Sequence, residues 1–145
     1  MRSADVDLMA MTVFADLVKA GRALASRLAY LHDQDVVVLG LPRGGVPVAS
    51  EVAEALGAPL DVIVVRKLGV PFQPELAMGA IGEGGAQVRD AKVMARARIT
   101  DADLRAVESR ERELLEERVA RLRRGRDRID LSGRTAVIVL SLIHI

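Results

Sequence analysis

The segment that most constrains the fold is Val36 to Ala49. An apolar run, Val36-Val37-Val38-Leu39-Gly40-Leu41, breaks through Pro42-Arg43-Gly44-Gly45 directly into a helical pattern. A strand that turns through glycines into a helix N-terminus leaves backbone N–H groups without helical partners, close to one point. Those donors, the positive end of the helix dipole and the Arg43 guanidinium together suit a phosphate or pyrophosphate. The alternative is a tight strand-to-helix turn carrying a solvated arginine, and the segment by itself leaves both open. A strand apolar along its whole length is buried on both faces, which is the situation of a parallel sheet covered by helices.

Composition narrows the class. Half of the 145 residues are hydrophobic but only 2% are aromatic, so the core is aliphatic. The length is that of about one domain with a sizeable core. With 21 basic and 20 acidic residues the net charge is +1, without the basic excess of a general nucleic-acid binder. The absence of cysteine excludes disulfides, thiolate zinc sites and a cysteine nucleophile. The two histidines, His32 and His144, are too few and too far apart for a metal cluster. Met1 to Asp7 is charged and lacks a signal segment, and no apolar run approaches the ~20 residues that span a bilayer. The expectation is a cytoplasmic protein whose partners are neither nucleic acid nor membrane.

Periodicity predicts a helix over 11–31, with Phe14, Leu17, Val18, Gly21, Leu24, Leu28 and Leu31 on one stripe. Val36 to Leu41 reads as a buried strand. Val46 to Leu56 reads as a helix facing the core through Val48, Val52, Ala55 and Leu56, with Gly57 as its C-terminal cap. Leu60 to Val65 reads as a second buried strand that delivers Arg66 and Lys67 at its carboxyl end. Leu68 to Leu76, rich in Gly and Pro, reads as a loop, and Ala77 to Ile81 as a short strand. Gly82 to Gly85 makes a turn from which Ala86 to Arg89 pairs back, and Lys92 to Ala97 is a helical turn or two. Thr100-Asp101-Ala102-Asp103 has the capping-box pattern and starts a long helix to about Arg124. Its narrow apolar stripe is Leu104, Val107, Leu114, Leu115, Val119 and Leu122, and Glu108/Arg112 and Glu117/Arg121 are i, i+4 pairs. Thr135 to Leu140 is a last apolar strand.

This order predicts an α/β fold, a Rossmann-like, mostly parallel sheet with flanking helices. Such sheets bind ligands beyond the carboxyl ends of their strands, where the winding reverses. Arg43 and the Arg66/Lys67 pair are both placed at carboxyl ends, which points to a shared anionic ligand.

The run from Val36 to Gly85 resembles the type I phosphoribosyltransferases, in particular a bacterial branch with a leucine-proline-arginine-glycine-glycine-valine loop and a valine-arginine-lysine strand end. Here these are Leu41 to Val46 and Val65-Arg66-Lys67, and Gly69 to Gly82 is similar to the same branch. The resemblance implies transfer of ribose 5-phosphate from phosphoribosyl pyrophosphate to a nitrogenous acceptor, with release of pyrophosphate. It assigns Pro42, Arg43, Gly44 and Gly45 to the pyrophosphate loop, which in the family often contains a cis peptide near the Arg position. It assigns Arg66 and Lys67 to the same pyrophosphate; the plain alternative is that they snorkel over the rim of the sheet. Leu68 to Leu76 becomes a mobile flap whose polar side chains, Gln73 and Glu75, either touch substrate or stand at a solvated tip. Mg²⁺ is implied as a cofactor held mainly through the substrate, and a homodimer is expected because relatives are often dimeric.

One departure stands beside this match. In the family the strand beginning near Thr135 runs into two acidic residues, which hold the ribose hydroxyls, and then a threonine-glycine loop for the 5-phosphate. Here Leu140 and Ser141 take the place of the acids, and Leu142-Ile143-His144-Ile145 follows. The expected organisation is therefore residues 1–139 as the N-terminal part of one phosphoribosyltransferase domain and 140–145 as a non-native tail, with a short natural form as the alternative. On that reading the catalytic residues are missing, the chain does no transfer, and the last strand lies beside the first with an unpaired outer edge. A non-catalytic pyrophosphate- or nucleotide-binding regulatory module is the competing reading. Coiled-coil pairing through the helix over 100–124 ranks last, because too few apolar positions repeat at heptad spacing.

Overall fold

A computed structural model describes residues 16–141 of the chain. The residues expected to begin the first helix, 11–15 with Phe14, and the segment Leu142 to Ile145 with His144 lie outside them. The described residues divide into two compact units, one containing residues up to Ile63 and from Arg128 onward, the other Val64–Asp127.

The first unit is a parallel sheet with helices. Its described elements are α1 (16–27), β1 (Val36–Gly40), α2 (Gly45–Leu56), β2 (Leu60–Val62) and β6 (Thr135–Val139). The strand order is β2-β1-β6, and both neighbours run parallel to β1. All five residues of β1 are buried, as its unbroken apolar run requires of a central strand. Val36 and Val38 join Val48, Ala49, Val52, Ala53 and Leu56 of α2, Leu17 and Ala25 of α1, and Val139 in one aliphatic core. Ala55, expected at that core, is exposed, and Ala49 and Ala53 face inward instead. The stripe runs 48, 49, 52, 53, 56, the i, i+3, i+4 row of a helix packed along its full length. Gly21 explains its own place on the α1 stripe: a Cβ there would lie 2.7 Å from Cβ of Glu51 on α2. Gly57 caps α2 at φ 59°, as expected.

The second unit is built on an antiparallel sheet, β3-β4-β5, formed by Val65–Val70, Gln73–Gly82 and Gln87–Arg89. α3 (Ala91–Arg96) packs on β4, and α4 (Asp101–Arg123) packs on β3 and β4. Two expectations are corrected here. Leu60 to Val65 is not one strand. Val62 pairs with Gly40, the last residue of β1, so the parallel ladder has no partner beyond that point. The chain then re-pairs from Val65 with β4. Nor is Leu68 to Leu76 a loop. It is the tip of a hairpin, with only Pro71 and Phe72 in the turn. Gly69 permits this pairing, because a Cβ there would lie 2.5 Å from the Pro74 carbonyl oxygen. Pro74 is tolerated in β4 because β5 pairs only with Gly79 to Ile81, leaving the proline on an edge.

Other local readings hold. Gly82 leads into a turn over Glu83–Gly85, with Gly84 and Gly85 at φ 69° and 80°. α4 opens on the expected capping box, in which the Thr100 hydroxyl accepts from the Asp103 N–H at 3.1 Å and the Thr100 N–H donates to Asp103 Oδ2 at 2.9 Å. Those bonds hold the Asp103 carboxyl below the ordinary aspartate range. Along α4, Leu104, Val107 and Leu115 are buried, but Leu114 and Leu122 are exposed and Arg123 is buried instead. Arg123 donates to both carboxylate oxygens of Glu83, at 2.7 and 2.9 Å. Glu108 pairs with Arg112 at 2.8 Å and accepts from Gln87 of β5 at 2.8 Å. The Arg112 hydrogen bond is the main reason its carboxyl lies below the ordinary glutamate range.

Candidate anion-binding site

In the first unit, the loop between β1 and α2 sits on the end of β6. The Leu41 N–H donates to the Val139 carbonyl at 2.9 Å, and a Cβ on Gly45 would lie 2.5 Å from that oxygen and 3.1 Å from Cα of Leu140. A Cβ on Gly44 would lie 2.9 Å from Cβ of Ser141. Only glycines let the loop pass this close to the residues after β6. With β1 central and β2 and β6 on opposite sides, the loop stands at the carboxyl end of the strand where the winding reverses. The peptide between Pro42 and Arg43 is cis, in keeping with the resemblance.

Two of the N–H groups at this turn are taken within the loop itself. The Gly45 N–H is taken by the Leu41 carbonyl at 3.0 Å and the Val46 N–H by the Arg43 carbonyl at 3.4 Å. Pro42 and Pro47 have no N–H to give. This leaves the N–H groups of Arg43 and Gly44, which make no hydrogen bond among the described residues. Arg43 is exposed and forms no ion pair with a described residue. The loop therefore offers two backbone donors, one guanidinium and the start of a 12-residue helix. It offers no carboxylate, so its chemistry is reception of an anion. Among the described residues no group of three or more His, Asp or Glu side chains could hold a metal ion. The donor set thus does not fit a Mg²⁺ ion held by the protein.

In the second unit, Arg66 and Lys67 are not at the end of a parallel strand. They are the second and third residues of β3, within the antiparallel ladder. Their partners also differ. Arg66 donates through Nε to Glu111 Oε2 on α4 at 2.7 Å, with Nη2 2.7 Å from the same oxygen. The Lys67 Nζ lies 3.8 Å from Glu75 Oε2, and Glu75 is almost fully exposed. Gln73 and Glu75 are both exposed on the opening residues of β4, so the hairpin tip presents them to water. Glu111 was not legible as a site neighbour. Its signal is positional, because it stands at i+4 from Val107 and i−4 from Leu115 on the buried stripe of α4.

Residues 15–139 match the family model described as the phosphoribosyl transferase domain. The chain belongs to the phosphoribosyltransferase family. Two Mycobacterium tuberculosis proteins, "Putative phosphoribosyl transferase Rv0571c" (strain H37Rv) and "Putative phosphoribosyl transferase MT0597" (strain CDC 1551), are each 60% identical to it over 129 residues. The match covers 89% of this chain and 29% of each relative, so the chain spans under a third of their length. The crystal structure of TT1426 from Thermus thermophilus superposes with a TM-score of 0.75 at 45% identity, covering 86% of this chain and 59% of that one. The α/β phosphoribosyltransferase fold, with its parallel sheet flanked by helices, follows from this likeness and from β2-β1-β6. No helix among the described residues is long and apolar enough to cross a membrane.

Proposed function

We propose that the loop Pro42-Arg43-Gly44-Gly45 receives the pyrophosphate group of phosphoribosyl pyrophosphate, the family's donor of ribose 5-phosphate. One observation carries this reading: two N–H groups and a guanidinium, unpartnered among the described residues, stand together at the carboxyl end of a central parallel strand. In transfer, negative charge develops on the leaving pyrophosphate, and fixed donors aimed at it stabilise the transition state more than the ground state. By the resemblance alone, Arg66 and Lys67 are also read as anion-binding residues. Mg²⁺ supplies charge neutralisation in such chemistry, and here it would arrive on the pyrophosphate, since the loop holds no ligand for it.

The reading separates binding from transfer. The two positions after Val139, where the family carries the ribose-holding acids, are Leu140 and Ser141, and Leu140 lies against Gly45. A leucine and a serine cannot provide the paired carboxylates that hold ribose hydroxyls as C1 becomes cation-like. Residues 1–139 are thus read as the pyrophosphate-binding part of a transferase domain, and the 145-residue chain as a binder without turnover. The same two residues favour the second reading, a non-catalytic pyrophosphate- or nucleotide-binding regulatory module.

Calorimetric titration of the chain with phosphoribosyl pyrophosphate and Mg²⁺, alongside a transfer assay with purine and pyrimidine bases, tests this. Binding without turnover is expected. Turnover by clean protein would mean that the ribose-holding groups lie elsewhere, and absence of binding would sink the loop assignment.

A further inference from the structure

We propose that Arg66 acts as a positioning residue: its ion pair with Glu111 fixes β3 to α4, and Lys67 alone of the adjacent basic pair meets an anion. The inference rests on the proposed anion-binding role of this pair.

Successive residues of a strand point to opposite faces, so Arg66 and Lys67 cannot both address one ligand from β3. The face of Arg66 is the one α4 covers. Next on that face is Leu68, fully buried. Opposite it on α4 run Leu104, Val107 and Leu115, all buried, with Glu111 completing the stripe at helical spacing. The two side chains are withdrawn from water to 31% and 23% exposure, and two guanidinium nitrogens converge on one carboxylate oxygen. For Arg66 to serve as a ligand this pair must break, leaving the Glu111 carboxylate partly buried without a counter-ion, an unfavourable state.

Lys67 is placed differently. It is half exposed, and its partner Glu75 is 96% exposed at 3.8 Å. That separation exceeds the 2.7–2.9 Å typical of charge-assisted hydrogen bonds, and water and salt screen it. An incoming anion therefore displaces little from Lys67. Neighbouring residues that read alike in the sequence divide the work: one is held by the helix, the other is available.

The test uses the 145-residue chain with inorganic pyrophosphate and Mg²⁺. Affinity is read by calorimetry, and amide exchange is read across β3. Lys67→Ala is expected to weaken binding about tenfold or more, the scale of a lost charge-assisted contact, with β3 exchange unchanged. Arg66→Met and Glu111→Gln are each expected to speed β3 exchange and weaken binding by a smaller factor. The reversed pair, Arg66→Glu with Glu111→Arg, is expected to recover both. Restored β3 protection without restored affinity would show that the charge at position 66 is itself the ligand, and overturn the proposal. So would tighter or unchanged binding in Glu111→Gln, since that variant releases Arg66 from its partner. If the unmodified chain binds no pyrophosphate, the proposed function falls. The pinning is then decided by exchange alone: faster β3 exchange in Arg66→Met and Glu111→Gln but not Lys67→Ala upholds it, and equal exchange in all three overturns it.

Discussion

Gly45 and Val139 meet so closely that a methyl group on the glycine would lie 2.5 Å from the Val139 carbonyl oxygen. The contact is backbone against backbone, at the seam where α2 begins and β6 ends, and neither side has a rotamer with which to give way. Gly45→Ala should therefore destabilise the first unit by about 1–3 kcal/mol, the usual range for overpacking. Thermal melting checks this. A melting temperature unchanged by the substitution would mean that the seam is looser than described.

The Arg123–Glu83 pair should be the most consequential ion pair described in the second unit. The side chains are 9% and 11% exposed and the guanidinium is bidentate. Removing one partner of a buried pair costs about 3–5 kcal/mol, because the other charge stays buried. Arg123→Met should thus melt far below the parent. Arg22→Met, which breaks a 3.4 Å pair whose arginine is 73% exposed, should change stability by no more than about 1 kcal/mol. Comparable losses in the two variants would contradict the assignment of burial.

The capping box should make the start of α4 sensitive to acid. Asp103 is held below the ordinary aspartate range, first by the Thr100 N–H and then by the Thr100 hydroxyl. A carboxyl depressed in the folded state contributes stability that is fully present above its unfolded value, about pH 3.9, and is lost as pH falls through the folded value. The protection of the Thr100 amide, measured against its intrinsic exchange rate at each pH, should therefore fall below about pH 4 in the parent and be low already, without that step, in Asp103→Ala. Protection indifferent to pH in the parent would argue against the box.

β6 should be the adhesive edge of the first unit. Among the described residues it pairs only with β1, and Ile138 is more than half exposed beside that free edge. Such edges are blunted in natural sheets by charge. Ile138→Lys should raise the concentration at which the chain stays monodisperse by light scattering while shifting the melting temperature little. Unaltered aggregation would place the sticky surface elsewhere.

What the sequence made legible follows the range of the interaction involved. β1, α2 with its Gly57 cap, the turn at Gly82 and the Thr100 capping box are all local patterns, and each stands where its residues put it. The strand-to-helix loop over Pro42 to Gly45 was legible too, because strand, glycines, arginine and helix follow one another directly. The errors are of a different kind. Whether Val65 continues β2 depends on β1 ending at Gly40, a non-local fact. Whether Leu68 to Leu76 is a loop depends on Gly69 admitting Pro74 across a hairpin. The partner of Arg66 lies 45 residues away on α4, and nothing near Arg66 announces it. Which N–H groups of the loop stay free was not legible, because the Leu41 and Arg43 carbonyls accept from Gly45 and Val46 and close the loop.

Under the proposed function, Arg43 and its loop receive pyrophosphate. The deciding measurement is calorimetric titration of pyrophosphate with Mg²⁺ into the parent chain and Arg43→Ala, with melting curves recorded for both. Arg43 is exposed and has no ion-pair partner among the described residues, so its loss should leave the melting temperature unchanged. Affinity should fall by about one to two orders of magnitude, the scale of a hydrogen bond to a charged group. Equal affinity in the two proteins, at equal stability, would mean that Arg43 takes no part in receiving pyrophosphate.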